Sequence, residues 1–284
     1  MKRTGFRKSF LSFSHVLACL LTAVFLAGIV STPVAQDFAL QRLNDSPRHH
    51  EWVQIKQGDR IVHSFVVYPE VSEKALAVIV IHENRGLTDW VRSVADQLAE
   101  AGYIAIAPDL LSGTGPNGGK TSDFADTNAA RDAIYQLSPE QVTADLNAVA
   151  DYVKNLDACN GSIAVSGFCW GGMQSFNFAT VRDDLSAAFV FYGSPPESAE
   201  AMERINAPVY GFYGGNDARI NATIPKTGEQ MKEAGKKYEP VIYEGAGHGF
   251  MRSGEEPGAE EANKKARDEA WDRWLKTLKE VENQ

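Results

Sequence analysis

Three side chains in this chain, Cys169, Asp217 and His248, have the types and the order that nucleophilic acyl transfer needs. Cys169 stands in Gly167-Phe168-Cys169-Trp170-Gly171-Gly172, after the apolar run Ile163-Ala164-Val165-Ser166 and before a helix-capable stretch, Met173 to Thr180. The pattern reads as strand, tight turn and helix, with the thiol at the apex. A nucleophile held on so sharp a turn crowds its neighbours, which favours Gly two positions before and two after. The following helix turns its N-terminal N–H groups toward the apex and favours a thiolate or a developing oxyanion. Ser is the usual apex residue; here it is Cys.

Such a nucleophile needs a base, and the base needs an acid to fix its tautomer. His248 is the only histidine after Cys169; it follows Val241-Ile242-Tyr243 and sits among glycines in Gly245-Ala246-Gly247-His248-Gly249, the signature of a loop at a strand end. Asp217 closes Val209-Tyr210-Gly211-Phe212-Tyr213-Gly214-Gly215-Asn216-Asp217, another strand running through a Gly turn into an acid. Nucleophile, acid, histidine is the chain order expected when successive strand ends carry a triad. A further strand, Ala77 to Ile81, runs into His82-Glu83-Asn84-Arg85-Gly86. The turn after it and the residue after the nucleophile are the places from which oxyanion donors come, which nominates the backbone N–H groups of Asn84 and Trp170.

Glu83, Cys169 in Gly-Phe-Cys-Trp-Gly-Gly, Asp217, and His248 in Gly-His-Gly-Phe together resemble the dienelactone hydrolase (carboxymethylenebutenolidase) family of the α/β-hydrolase superfamily, over roughly Ala75 to Leu278. The resemblance implies that Glu83 pairs with the resting nucleophile, exchanges its proton and keeps the thiol quiet until substrate displaces it. It also implies that two arginines bind a substrate carboxylate. Arg252, four residues after His248, stands at one of those positions. The other comes from a helix before the elbow, where Thr127 or Asn128 falls; Arg131, one turn on, and Arg85, beside Glu83, are the remaining candidates. Trp170, Tyr192, Phe212 and Phe250 are read either as apolar walls or as core.

The expected reaction is attack of Cys169 on an ester or lactone carbonyl, a thioester intermediate, and hydrolysis by water activated at His248. Cysteine narrows the substrate. A thiolate leaves more readily than an alkoxide or amine, so the intermediate reverts unless the substrate's own leaving group is stabilised. Enol lactones, aryl esters and thioesters meet that condition. Two other readings use parts of the same pattern: a thiol redox protein, and a non-enzymatic binding protein on a hydrolase scaffold. The first lacks a Cys-x-x-Cys pair, and neither explains the triad.

The rest of the chain must position these groups. Arg60 to Tyr68, Ala77 to Ile81, Ile104 to Pro108, Ile163 to Val165, Ala187 to Phe191, Val209 to Tyr213 and Val241 to Tyr243 read as strands. Helical patterns at Thr88 to Ala101, Pro139 to Leu156 and Glu260 to Val281 alternate with them, which predicts an α/β fold with a mainly parallel central sheet and helices on both faces. In the last helix, Trp271, Trp274, Leu275 and Leu278 fall on one stripe.

Residues 1–35 read as a signal peptide and 36–284 as a single domain. Lys2, Arg3, Arg7 and Lys8 precede the apolar stretch Val16 to Val30, and Ser31-Thr32-Pro33-Val34-Ala35 offers small residues for cleavage. An exported protein, periplasmic or secreted, is expected, with no stable membrane span after processing. The chain carries a net charge of −9, and loss of those four cations makes it more acidic still, which gives no electrostatic case for nucleic acid. The expected partner is a small-molecule ester or lactone; the sequence carries no sign of an oligomeric state. Cys159 and Cys169 remain after processing, but the extended Ser162 to Gly167 separates them beyond the roughly 7 Å Cα limit of a disulfide. His49, His50, His63 and His82 show no metal-ligand spacing, so neither metal nor cofactor is expected.

Overall fold

The computed structural model describes residues 37–283; the expected signal segment, residues 1–35, lies outside them. Among the described residues, one sheet is built from β1 (His50–Gln57), β2 (Arg60–Val67), β3 (Ala75–Ile81), β4 (Ile104–Pro108), β5 (Cys159–Phe168), β6 (Leu185–Phe191), β7 (Val209–Gly214) and β8 (Tyr238–Tyr243). The helices are α1 (Asp37–Asp45), α2 (Asp89–Glu100), α3 (Thr127–Ile134), α4 (Pro139–Lys154), α5 (Trp170–Ala179), α6 (Ala199–Glu203), α7 (Ala218–Asn221), α8 (Ile224–Glu233), α9 (Phe250–Ser253) and α10 (Glu261–Glu282). The strand order is β1-β2-β4-β3-β5-β6-β7-β8. β1 and β2 pair antiparallel, as do β2 and β4, and the remaining pairs are parallel.

The sequence explains this layering. All seven residues of β3 and all five of β4 are buried, as parallel strands covered on both faces require. Side chains alternate across the pleat. Val78 and Val80 therefore join the core beneath α2 and α10, and Ala77, Ile79 and Ile81 join the one beneath α4 and α5. The α10 stripe behaves as its spacing predicts: Trp274 and Leu278 are fully buried, with Trp271 and Leu275 packed beside them. α4 opens on Ser138, whose hydroxyl accepts from the Gln141 N–H, with Pro139 in its first turn.

β1 is the strand that the apolar pattern did not announce. Its sequence, HEWVQIKQ, alternates but is largely polar, because an edge strand needs only one buried face. Its hairpin with β2 turns at Gly58, whose φ of 58° lies in the left-handed region. At the other end of the sheet axis, the carboxyl ends of β3, β5, β7 and β8 deliver Glu83, Cys169, Asp217 and His248, respectively. In open α/β sheets this is the edge at which ligands bind.

Candidate active site

Cys169 links β5 to α5 with φ 56° and ψ −113°, a conformation that L-residues adopt only when the surroundings enforce it. Two hydrogen bonds enforce it. The Cys169 N–H donates to the Phe191 carbonyl at 3.0 Å, and its own carbonyl accepts from the Met173 N–H at 3.1 Å. The flanking glycines allow the close approach. A Cβ on Gly167 would overlap the Gly171 carbonyl, and one on Gly171 would overlap the carbonyl oxygens of Ile81 and His82. The spacing rule read from the sequence is thus a backbone-on-backbone contact.

His248 follows β8, and its Nδ1 lies 2.5 Å from Oδ2 of Asp217. The carboxylate can only accept, so Nδ1 carries the proton and Nε2 keeps its lone pair. Asp217 is buried and is held a second time, its Oδ1 accepting from the Ile220 N–H at 3.4 Å to cap α7. Tyr192 backs the imidazole edge-on, with ring centroids 5.0 Å apart. Tyr192 itself has φ 42°, and its buried hydroxyl has no hydrogen-bond partner among the described residues.

Electrostatics at the thiol oppose ionisation. Burial, followed by the negative charge of Glu83, pushes the Cys169 thiol up to about 11. The Trp170 N–H, the Arg219 guanidinium and the Asn84 N–H pull the other way. Both nominated oxyanion donors are thus among the groups that favour the thiolate. No hydrogen bond joins Cys169 to His248 among the described residues.

Glu83 is 7% exposed and accepts from Nε of Arg252 at 2.9 Å. Arg252 also donates from Nη1 to Glu256 at 2.8 Å, so this guanidinium is committed to two carboxylates. Arg85 sits half-buried in the turn after β3. Arg131 turns to Asp132, 3.5 Å away, with its side chain half-exposed. Four residues on from it, Tyr135 accepts from Nδ2 of Asn84 at 3.1 Å.

A cavity of about 150 Å³ opens at the thiol, walled by Cys169, Trp170, Tyr192, Ser194, Tyr135 and Arg219. Phe212 and Phe250, the other two candidate wall residues, are fully buried core. Tyr135 and Arg219 were not among the residues singled out from sequence. Arg219 follows Asp217 by two positions at the start of α7, and makes no ion pair among the described residues. A wider groove of about 660 Å³ lies at the β1–β2 hairpin beside Arg60 and His63. Arg60 is already paired there with the buried Asp145 at 3.0 Å, and the groove's walls carry no cysteine, so the smaller cavity is the candidate site.

Cys159 and Cys169 are both free thiols. They bracket the ten residues of β5, a separation of about 30 Å at the rise of an extended strand. No group of three His, Cys, Asp or Glu side chains among the described residues stands close enough to hold a metal ion. None of the described helices is long and apolar enough to cross a membrane.

Comparison with known proteins gives consistent results. The model of the dienelactone hydrolase family matches residues 62–282. A Salmonella typhimurium protein provisionally named carboxymethylenebutenolidase is 34% identical over 232 residues, covering 77% of this chain and 82% of the relative. A Bradyrhizobium protein, provisionally named 2-oxo-3-(5-oxofuran-2-ylidene)propanoate lactonase, is 26% identical over 70% of this chain and 83% of its own length. Among solved structures, a provisionally named dienelactone hydrolase of Klebsiella pneumoniae superposes with a TM-score of 0.71 at 24% identity, covering 81% of this chain and 98% of that one. That superposition supports the α/β-hydrolase fold.

Proposed function

Since the chain belongs to the dienelactone hydrolase family of ester and lactone hydrolases, we propose that it hydrolyses activated esters or lactones through Cys169, His248 and Asp217. The observation that carries this reading is the delivery of three groups to one sheet edge: Cys169 on the strained turn between β5 and α5, and His248 with its Nδ1 2.5 Å from Oδ2 of Asp217. That arrangement supplies a nucleophile, a base and the acid that orients it.

At rest the thiol is neutral, because burial and Glu83 hold its pKa near 11. Substrate entry desolvates the site and places a carbonyl oxygen at the Asn84 and Trp170 N–H groups. The thiol swings toward Nε2 of His248, which takes its proton, and sulfur attacks the carbonyl carbon. Asp217 stabilises the imidazolium through Nδ1–H. Collapse expels the enolate or phenolate, which takes the proton from Nε2 of the imidazolium, and leaves a thioester. The neutral His248 then takes a proton from water as its oxygen attacks the thioester carbonyl, and returns that proton to sulfur as the C–S bond breaks and the acid is released.

Glu83 acts on the resting state. Its carboxylate, fixed by Arg252, keeps the unoccupied enzyme from presenting a reactive thiolate. Such protection suits the exported, oxidising setting that the basic and apolar N-terminal segment suggests. Arg219 is the cation that lines the cavity without a partner among the described residues, and it would receive an acyl group bearing a carboxylate. The test is hydrolysis of a dienelactone, p-nitrophenyl acetate, an ethyl ester and an acyl thioester, with iodoacetamide-treated enzyme as control. Thiol-sensitive turnover of the activated substrates, with the ethyl ester slow, is expected. An inert enzyme whose Cys169 still alkylates would contradict the reading.

A further inference from the structure

His82 is a histidine that the proposed chemistry does not use, and it is fully buried at the end of β3. Its Nδ1 lies 2.7 Å from the Glu83 carbonyl oxygen, and its Nε2 lies 3.3 Å from the Leu110 backbone N. A carbonyl accepts and an N–H donates, so both contacts require the same tautomer: proton on Nδ1, lone pair on Nε2. Burial lowers the pKa of the ring, in keeping with a neutral imidazole.

The Glu83 carbonyl belongs to the same peptide group as the Asn84 N–H. In a trans peptide the two point in opposite directions within one plane. Fixing the oxygen therefore fixes the direction of the N–H, and accepting a bond at the oxygen polarises that N–H further. The second donor is registered by the same residue. The His82 ring stacks on the Trp170 indole, with centroids 5.5 Å apart and planes 14° from parallel. The His82 carbonyl also abuts Gly171 so closely that no Cβ fits between them. One buried residue thus bonds the peptide that carries the Asn84 donor, and packs on the Trp170 side chain and against the residue after it.

We propose that His82 is the positioning residue of the oxyanion site, holding the Asn84 and Trp170 N–H groups in convergence through its Nδ1–H bond to Glu83 and its face against Trp170. The inference rests on the hydrolase reading given above. It predicts a cost in the transition state rather than in substrate binding, because a ground-state carbonyl draws less on these donors than an oxyanion does.

Three variants separate positioning from mere packing. His82→Phe keeps the ring stack and removes the donor. His82→Gln offers an amide N–H to Glu83 and an amide oxygen to Leu110. His82→Leu removes both the stack and the donor. With p-nitrophenyl acetate, His82→Phe should lose kcat at least tenfold with KM within twofold of the parent. Affinity for a trifluoromethyl ketone, which captures the thiol as a tetrahedral adduct, should fall in parallel. His82→Gln should recover most of both losses, and His82→Leu should be worst. Rates are expressed per thiol titrated in folded protein, so reduced folding does not enter them. An active parent with an unchanged kcat and ketone affinity in His82→Phe would overturn the positioning role alone. An inert parent would overturn the hydrolase reading beneath it. Nitrogen-15 NMR of the parent gives a check that needs no variant: His82 is expected as the neutral Nδ1–H tautomer at neutral pH, and an Nε2–H tautomer would overturn the anchoring geometry.

Discussion

Arg252 donates from Nε to Oε2 of Glu83 at 2.9 Å, so the arginine expected to bind a substrate carboxylate also holds the carboxylate whose charge pushes up the Cys169 thiol. This ties the resting state of the thiol to residues on two separate strand ends. Removing the negative charge should lower the Cys169 pKa below its value of about 11. In Glu83→Gln, a drop of one unit would raise the thiolate fraction about tenfold at neutral pH. Each thiolate would be roughly threefold less nucleophilic. A net gain of about threefold in iodoacetamide alkylation at pH 7.5 is expected, with the inflection of the rate–pH curve displaced to lower pH. An unmoved inflection would show that Glu83 does not govern the thiol.

Arg219 lines the cavity beside Cys169, and on the proposed reading it receives a substrate carboxylate. A guanidinium binds a carboxylate by paired, charge-assisted hydrogen bonds. Arg219→Ala should therefore raise KM about tenfold for lactones bearing a carboxylate, a loss of about 1.4 kcal/mol, and leave a neutral aryl ester within twofold. Equal losses on both substrates would mean that Arg219 supports the site's shape and does not recognise an anion.

Gly171 packs against the carbonyl oxygens of Ile81 and His82 with no room for a methyl group. Both obstacles are backbone at the centre of the sheet, which cannot move aside cheaply. Gly171→Ala should cost about 3 kcal/mol or more of stability, measured by urea unfolding, and should abolish turnover. Gly228, where a Cβ meets nothing within 4 Å, provides the control: Gly228→Ala, inside α8, should be neutral or slightly stabilising.

The sheet was legible wherever burial dictates composition. β3, β4 and the buried parts of β5, β6 and β7 are apolar because helices cover both faces, and Gly167 and Gly171 mark the elbow because backbone touches backbone there. The order of Cys169, Asp217 and His248 placed three groups on one sheet edge before any geometry was known. β1 escaped notice because one polar face makes an edge strand resemble a loop. Arg219 and Tyr135 escaped because their roles depend on where short helices deliver them; the only sequence signals are two residues past Asp217 and four past Arg131. The commitment of Arg252 to Glu83 joins elements far apart in the chain, and no local pattern encodes it.

The central claim is that acyl groups pass through the sulfur of Cys169. The most direct measurement is to mix the enzyme with p-nitrophenyl acetate, quench in acid within the first turnovers, and map the peptides by mass spectrometry. The account predicts an acetyl group on the peptide carrying Cys169, removed by hydroxylamine at neutral pH as a thioester is, and absent from iodoacetamide-treated enzyme. Steady turnover with no acyl group on Cys169, or turnover that persists in Cys169→Ala, would contradict it.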